Sequence, residues 1–594
     1  MADPDARAVH TIDADALTEL AVTPLDGEPA QILPLADGRV LISLRDTNRL
    51  AVFEIPAASE APLEPRCSVA THAEPWGLAA SPDGATVALT AAWAHRLTLL
   101  ASADLAPLTT VDLPPEPRGV LLSADGRAAW VNHMTGGRVS KILLDGAPRV
   151  TTINPRPEEP APRPEPDTKN KKNQKPQEPQ KPRADPSTTV QGFAIAEALI
   201  NPNAAHGPQS PARIFAPMAG VDPGQFEAFM GLPSSYGGSQ GFSVVHVPYV
   251  AVLDPTRDRP MGRPLRPGHH IPSFACGLPR AAVVSGDQLY VACMGIDRLL
   301  QLDARSIEPD HTLLRSFEIA PGPSGVAVDA RNQRALVASQ FGPVLSVVDL
   351  APDANATSRR LDLARPSSPP LSAELARGRA LFHVTNDSRI SQDGRACASC
   401  HPDGRTDGLT WITPDGPRQT ISLAGRSTRK SGPFGWFGDH PSLREHLSFT
   451  VKRLGGTGFK ESDPKDKADL AALIAWLEVM PAPVREGALA DDESQTRERG
   501  RELFYAAETG CSTCHIAGDT DRRRHNVGSG QVIEKSLAFD TPSLRFIGGT
   551  APYFHDGRYP TLFAMVSDPG SKMGHSAGLP EADRRALAAF LETL

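Results

Sequence analysis

The sequence predicts a multidomain protein: an all-β propeller, seven-bladed, over residues 31–365, followed by an all-α region of two similar halves, 371–480 and 494–594. Three observations predict it. A hairpin-rich unit of about 40 residues recurs through the first part. The strand period gives way to helical spacing after Arg360. One short cysteine motif then occurs twice in matching surroundings.

Residues 1–30 read as an N-terminal segment with a first strand. A degenerate repeat starts at Ile32, and clear copies start at Pro75, Pro117, Leu278 and Pro323. Each holds strand, D-G-type turn, strand, polar turn and strand, the composition of a propeller blade. Five units close a ring poorly, so 154–277 is expected to supply one or two more blades. Inside it, 155–189 holds ten prolines and no Val, Ile, Leu, Met or aromatic residue. Such a segment cannot bury a core and reads as a disordered or polyproline-like insertion. RPSSPP at 365–370 is a linker, and four helices are expected at 371–382, 466–480, 494–507 and 581–594.

Composition narrows the function. The 594 residues carry a net charge of −8 and no long apolar run, which argues against a nucleic-acid binder and a membrane span. Seven cysteines are too few for a disulfide scaffold. Four of them lie in Cys397-Ala-Ser-Cys400-His401 and Cys511-Ser-Thr-Cys514-His515. In C-x-x-C-H the two thiols, one helical turn apart, suit the two vinyl groups of one haem, and the histidine is placed to ligate its iron. A redox dithiol or half a zinc site is the alternative for one copy; two copies in matching context point to two covalently bound c-type haems. Arg377-Gly378-Arg379-Ala-Leu381-Phe382 precedes the first motif and Arg499-Gly500-Arg501-Glu-Leu503-Phe504 the second. Downstream, Pro433, Pro441 and Leu443 are spaced as Pro552, Pro560 and Leu562. Cys276 and Cys293, 17 apart across a strand pair, suit either a disulfide or two buried thiols.

The pattern P-x-G followed by D/N-G in the repeats resembles the YVTN/lactonase-like propellers. The stretch TAPYFHDGRYPTL at 550–562, with the paired C-x-x-C-H motifs, is similar to the bacterial di-haem cytochrome c peroxidase/MauG family over nearly all of 371–594. That resemblance implies an N-terminal haem that meets hydrogen peroxide and a C-terminal haem that receives electrons. Trp436 stands where the family's relay tryptophan stands, although a tryptophan merely packed in a core reads the same. Met573 falls at the family's axial methionine, with His575 a neighbouring alternative. The first half has Leu454 there, which cannot ligate iron, so the distal side of the first haem is expected to be open unless His440 or His446 closes it.

The family's distal glutamate is Arg453 here, a departure that puts ordinary peroxidase chemistry in doubt. Glu445 and His446 are the nearest substitutes for moving a proton, and Arg453 suits a developing oxyanion; all three also fit a solvent-facing helix. Thr550 and Pro552 match the family's calcium-binding backbone, which adds one calcium ion to the expectations. The implied function is a periplasmic di-haem oxidoreductase whose partner is a small cytochrome or a protein that it oxidises. The alternatives are a pure electron carrier with the propeller as binding module, and chemistry in the propeller channel. No signal peptide is visible, so export implies a chain that begins at a mature or engineered start.

Overall fold

The computed structural model describes residues 1–58, 60–156, 188–199, 212–224, 236–237, 245–263, 276–364, 371–426, 432–485 and 494–594. The expected insertion at 155–189 and the linker at 365–370 fall almost wholly outside these residues. Seven antiparallel sheets form the ring. Blade 1 is three-stranded: Ala2–Asp3, Ala8–Asp13 and Thr18–Pro24, so residues 1–30 carry a sheet of their own rather than one strand. Blades 2, 3 and 4 are four-stranded over 29–70, 75–112 and 117–153. Blade 5 is assembled from five separated strands between 188 and 260, and blades 6 and 7 occupy 279–318 and 323–362. The region 154–277 thus supplies one blade.

Each regular blade starts on its inner strand with proline: Pro29–Pro34, Pro75–Ala80, Pro117–Leu122, Pro279–Ser285 and Pro323–Asp329. Proline lacks a ladder donor, so it sits at the first residue of a strand. Before four of these prolines the residue turns the chain into the ring with positive φ: 59° at Glu74, 57° at Glu116, 53° at Leu278 and 75° at Gly322. Middle strands are buried on both faces, as in Ala128–His133 and Gln288–Cys293, while the outer strand Glu64–Ala70 is mostly exposed. Inter-blade burial of these alternating apolar rows forms the core. Cys276 and Cys293 form a disulfide with a Cα–Cα distance of 5.0 Å, and Cys67 is exposed.

The second part is less purely helical than expected. Its described residues hold seven α helices: α1 (Ala373–His383), α2 (Cys397–Cys400), α3 (Leu443–Arg453), α4 (Pro464–Val479), α5 (Ser494–Tyr505), α6 (Leu562–Ser567) and α7 (Glu581–Glu592). Two-stranded ladders Thr410–Thr413/Gly416–Gln419 and Arg524–His525/Phe539–Asp540 accompany them. The two lobes repeat one packing device. Gly378 of α1 lies against the Ala472 carbonyl of α4, and Gly500 of α5 against the Ala586 carbonyl of α7, so closely that a Cβ would stand 2.0 Å from each oxygen. Arg377–Asp469 and Arg499–Asp583 flank these crossings. Ser442 and Thr561 cap α3 and α6 by accepting from the Glu445 and Ala564 amides.

The helical part also closes the ring. Blades 7 and 1 share no strand; Arg334 of blade 7 pairs with Asp15, and the Ala364 amide donates to Glu19. Across the same seam Arg379 of α1 grips both oxygens of Asp5 at 2.7 Å and lies 5.0 Å from the Phe341 ring of blade 7.

Candidate haem centres

Both C-x-x-C-H segments fold identically where it matters. The His401 amide donates to the Cys397 carbonyl at 2.9 Å and the His515 amide to Cys511 at 3.1 Å. Two residues on, Asp403 and Ala517 adopt φ of 50° and 53°, followed by Gly404 and Gly518 at 74° and 73°. That tight turn brings the carbonyl four residues beyond each histidine back to its ring. Nδ1 of His401 lies 3.2 Å from the Arg405 carbonyl, and Nδ1 of His515 lies 3.2 Å from that of Asp519. Such a bond fixes Nδ1 as the protonated nitrogen and leaves Nε2 as the ligand atom. Burial lowers both imidazoles, His401 to about 4, so each is neutral. Burial likewise pushes the Cys397 thiol up to about 12. The donor set and ring orientation fit c-type haem in both lobes.

In the first lobe, Cys397 packs with Phe382, Leu473, Leu477 and Leu443. Leu443 also lines a cavity of about 580 Å³ with Phe434, Arg444, Ile474 and Glu478. His446 of α3 stacks on Phe434 and lies 5.3 Å from the His440 ring. Its Nδ1 is buried without a hydrogen-bond partner among the described residues, and burial lowers it to about 4 with His440 and His401 adding to the effect. Glu445, by contrast, is exposed and takes part in the Ser442 cap. Arg453 is tied to Asp415 at 2.6 Å and lies over Phe449 at 4.2 Å. The structure therefore separates the three distal candidates, and of them His446 carries a buried nitrogen without a hydrogen-bond partner among the described residues.

Asp407 was not foreseen. It is fully buried, accepts from the Trp411 indole at 2.9 Å and from the Leu409 amide, and burial raises it to about 7. Its position six residues after His401 was the only sequence signal.

Trp436 lies at the seam between lobes. Its indole donates to the Gln419 carbonyl at 2.9 Å, and its ring is 6.3 Å from His555 of the second lobe. His555 stacks on Phe539 at 3.9 Å and faces Glu534, which Arg418 pairs. Gln419 Nε2 donates to the Thr550 carbonyl at 3.1 Å, so the expected calcium backbone adjoins the same seam. In the second lobe Met573 joins the apolar cluster containing Cys511, and Gly574 lies beside the Cys511 sulfur and the Thr509 carbonyl. His575 is exposed.

Fold and site together resemble one class, the MauG-like haem oxidoreductases, here joined to a seven-bladed propeller. The chain is 29% identical over 289 residues to methylamine utilization protein MauG of Methylorubrum extorquens, covering 39% of this chain and 80% of that one. It is 27% identical over 287 residues to hydrazine synthase subunit gamma of Kuenenia stuttgartiensis, covering 38% and 79%. No protein-family model matches the chain. Among solved structures, Kuenenia stuttgartiensis hydrazine synthase aligns at 14% identity over 59% of this chain and 95% of that one, with a TM-score of 0.42. Dihydro-heme d1 dehydrogenase NirN aligns at 14% over 62% and 73%, with a TM-score of 0.34. No helix among the described residues is long and apolar enough to cross a membrane.

Proposed function

We propose that the protein is an exported di-haem c-type oxidoreductase of the cytochrome c peroxidase/MauG type. Cys397 and Cys400 tether one haem and Cys511 and Cys514 the other, with His401 and His515 as iron ligands and Met573 completing the second. Bound there, haem would supply reaction with peroxide in the first lobe and electron storage in the second. The observation that carries this reading is asymmetry within a repeat: the C-x-x-C-H turns match bond for bond, while Met573 packs on the same apolar cluster as Cys511 and the first lobe has Leu454.

The chain's own residues have definable tasks. The Arg405 and Asp519 carbonyls hold the proximal rings. His446, neutral and unpaired at Nδ1, holds a proton for the distal side; Arg453, fixed by Asp415, contributes positive charge; Glu445 faces solvent and serves the helix cap. Trp436, between Gln419 and His555, bridges the lobes. Calcium at Thr550 and Pro552 fits if the Gln419 amide presents its oxygen instead of its nitrogen, since the two are interchangeable by a flip. The Cys276–Cys293 disulfide suits an oxidising compartment such as the periplasm. A protein partner, either a small cytochrome or a protein that is oxidised, suits a chain similar to an enzyme subunit.

One observation favours a second reading. His446 Nδ1 is buried without a hydrogen-bond partner among the described residues, so His446 would serve as a further ligand to a haem held at Cys397 and Cys400, as in a pure electron carrier. Ferric EPR with and without hydrogen peroxide separates the two. A high-spin signal lost on peroxide addition supports the enzyme; two low-spin centres indifferent to peroxide refute it.

A further inference from the structure

The propeller touches the first C-x-x-C-H segment at its most sensitive point. Glu74 and Glu116, the positive-φ residues that open blades 3 and 4, converge where the inner strands begin. Between them lies the Arg405 guanidinium, donating to Glu74 at 2.5 Å and Glu116 at 2.6 Å. Arg118, the residue after the blade 4 proline, reaches Glu116 at 2.9 Å and Asp403 at 3.2 Å, with Trp76 3.9 Å below it. Arg45 completes Glu74 at 2.7 Å. Although burial opposes ionisation, these arginines hold Glu74 and Asp403 charged, each at about 2. A second grip comes from Gln191 of blade 5. Its amide donates to the Ala398 and Ser399 carbonyls inside the motif, and Arg280 of blade 6 donates to its oxygen at 3.0 Å.

Among the described residues, no propeller ion pair reaches the second C-x-x-C-H segment, although Trp93 packs on Phe546 of that lobe. Asp519, the counterpart of Arg405, pairs with Arg545 at 3.1 Å in a half-exposed contact. A buried ionic network adds little net stability over an apolar one, but it does fix one geometry, because every other register leaves charges unpaired.

We propose that the propeller is a working part of the first haem centre alone: Glu74 and Glu116 act as positioning residues that hold Arg405, and through the Arg405 carbonyl fix the orientation of His401. The chain runs from the Glu–Arg side-chain pair through the covalent frame of Arg405 to His401 Nδ1, with a hydrogen bond at each end. Loosening the pair frees the carbonyl, and with it the ring plane and basicity of His401, while His515 keeps its own support. The proposal rests on the reading of residues 397–401 as a haem site.

The test uses the full holoprotein. Arg405→Ala is compared with Arg405→Lys, which keeps one cationic donor, and with Glu116→Gln, which keeps size and folds if the alanine variant does not. Mass spectrometry of the Cys397–Cys400 peptide establishes attachment. Ferric EPR and a redox titration then resolve the two haems. In Arg405→Ala the first haem should change its g values and shift its ferric/ferrous ratio about tenfold at fixed potential, about 59 mV for one electron. Arg405→Lys should recover most of that shift, Glu116→Gln should move the same haem by less, and the second haem should stay put in every variant. An unmoved first haem, or both haems moving alike, overturns the coupling. An unmodified Cys397–Cys400 peptide in the wild type overturns the site reading instead.

Discussion

Gly378 and Gly500 hold the two lobes to one packing geometry, and replacing either with alanine pits two effects against each other. In a helix interior, alanine is favoured over glycine by about 1 kcal/mol. Against that, a Cβ at 378 would stand 2.0 Å from the Ala472 oxygen, 2.6 Å from its carbon and 2.8 Å from the Trp476 Cβ, where ordinary contact begins at 3.4 Å. The nearest groups are backbone, which cannot swing aside, so α1 and α4 must part by over an ångström. A gap of 0.5–1 Å already forfeits a quarter to a half of each dispersion contact, and overpacking costs roughly 1–3 kcal/mol, sometimes more. Steric cost wins, with a net destabilisation of about 2–3 kcal/mol. For a unit of about 150–250 residues this lowers the melting midpoint by roughly 5–10 °C. Circular dichroism at 222 nm reads it, and Gly500→Ala should match because Ala586 and Phe590 repeat the contact at 2.0 and 2.7 Å. An unchanged or raised midpoint in both variants would refute the argument.

Three further outcomes are expected. Burial raises Asp407 to about 7, above its ordinary value near 3.8, so the folded protein retains a proton that the unfolded chain releases; the stability this gives is complete below about pH 4 and lost as pH rises to 7. Asp407→Asn should flatten that slope, worth on the order of 4 kcal/mol, in denaturation curves taken at each pH; an unaltered slope would exclude Asp407 as its source. Met573→Ala should lower the potential of the second haem and leave the first where it is, since methionine ligation raises potential; an unchanged titration removes Met573 as ligand. Trp436→Leu should slow electron exchange between lobes at least tenfold in stopped-flow reduction, with haem content intact; unchanged rates would reduce Trp436 to a packing residue.

Much of the ring was legible because each blade repeats its own alternation and its own turns. Blade 5 hid because its strands are separated by long insertions, and blade 1 because three short strands carry too few alternations to register as a unit. The C-x-x-C-H turns were legible since local spacing alone dictates them, down to the glycine three residues after each histidine. The seam around Trp436 was half legible: the tryptophan showed, but Arg418, Gln419 and Glu534 are brought to it only by the ladder at 410–419 and the loop before Phe539. The clamp on Arg405 was invisible for a similar reason, as Glu74 and Asp403 lie far apart in sequence. A signal did exist. Glu28-Pro29, Glu74-Pro75 and Glu116-Pro117 place glutamate before the opening proline of three successive blades, where a solvated loop has no need to repeat a charge. His446 and Glu445 illustrate the limit of sequence in the other direction: adjacent on one helix, they face opposite environments because α3 turns 100° per residue.

The seam between blades 7 and 1 decides how the molecule comes apart. Where a propeller interleaves strands from both chain ends, the ring latches itself. Here the closure rests on side-chain bonds, Arg334 to Asp15 and Glu19 to the Ala364 amide, joined by Arg379, a residue of the helical part that spans Asp5 on one side and Phe341 on the other. Release of the helical part therefore removes one of the bonds that close the ring, and opening of the ring loosens the seat of the first lobe. Propeller and helical part therefore brace each other across the seam, and cutting the chain between them should lower the melting midpoint of both pieces.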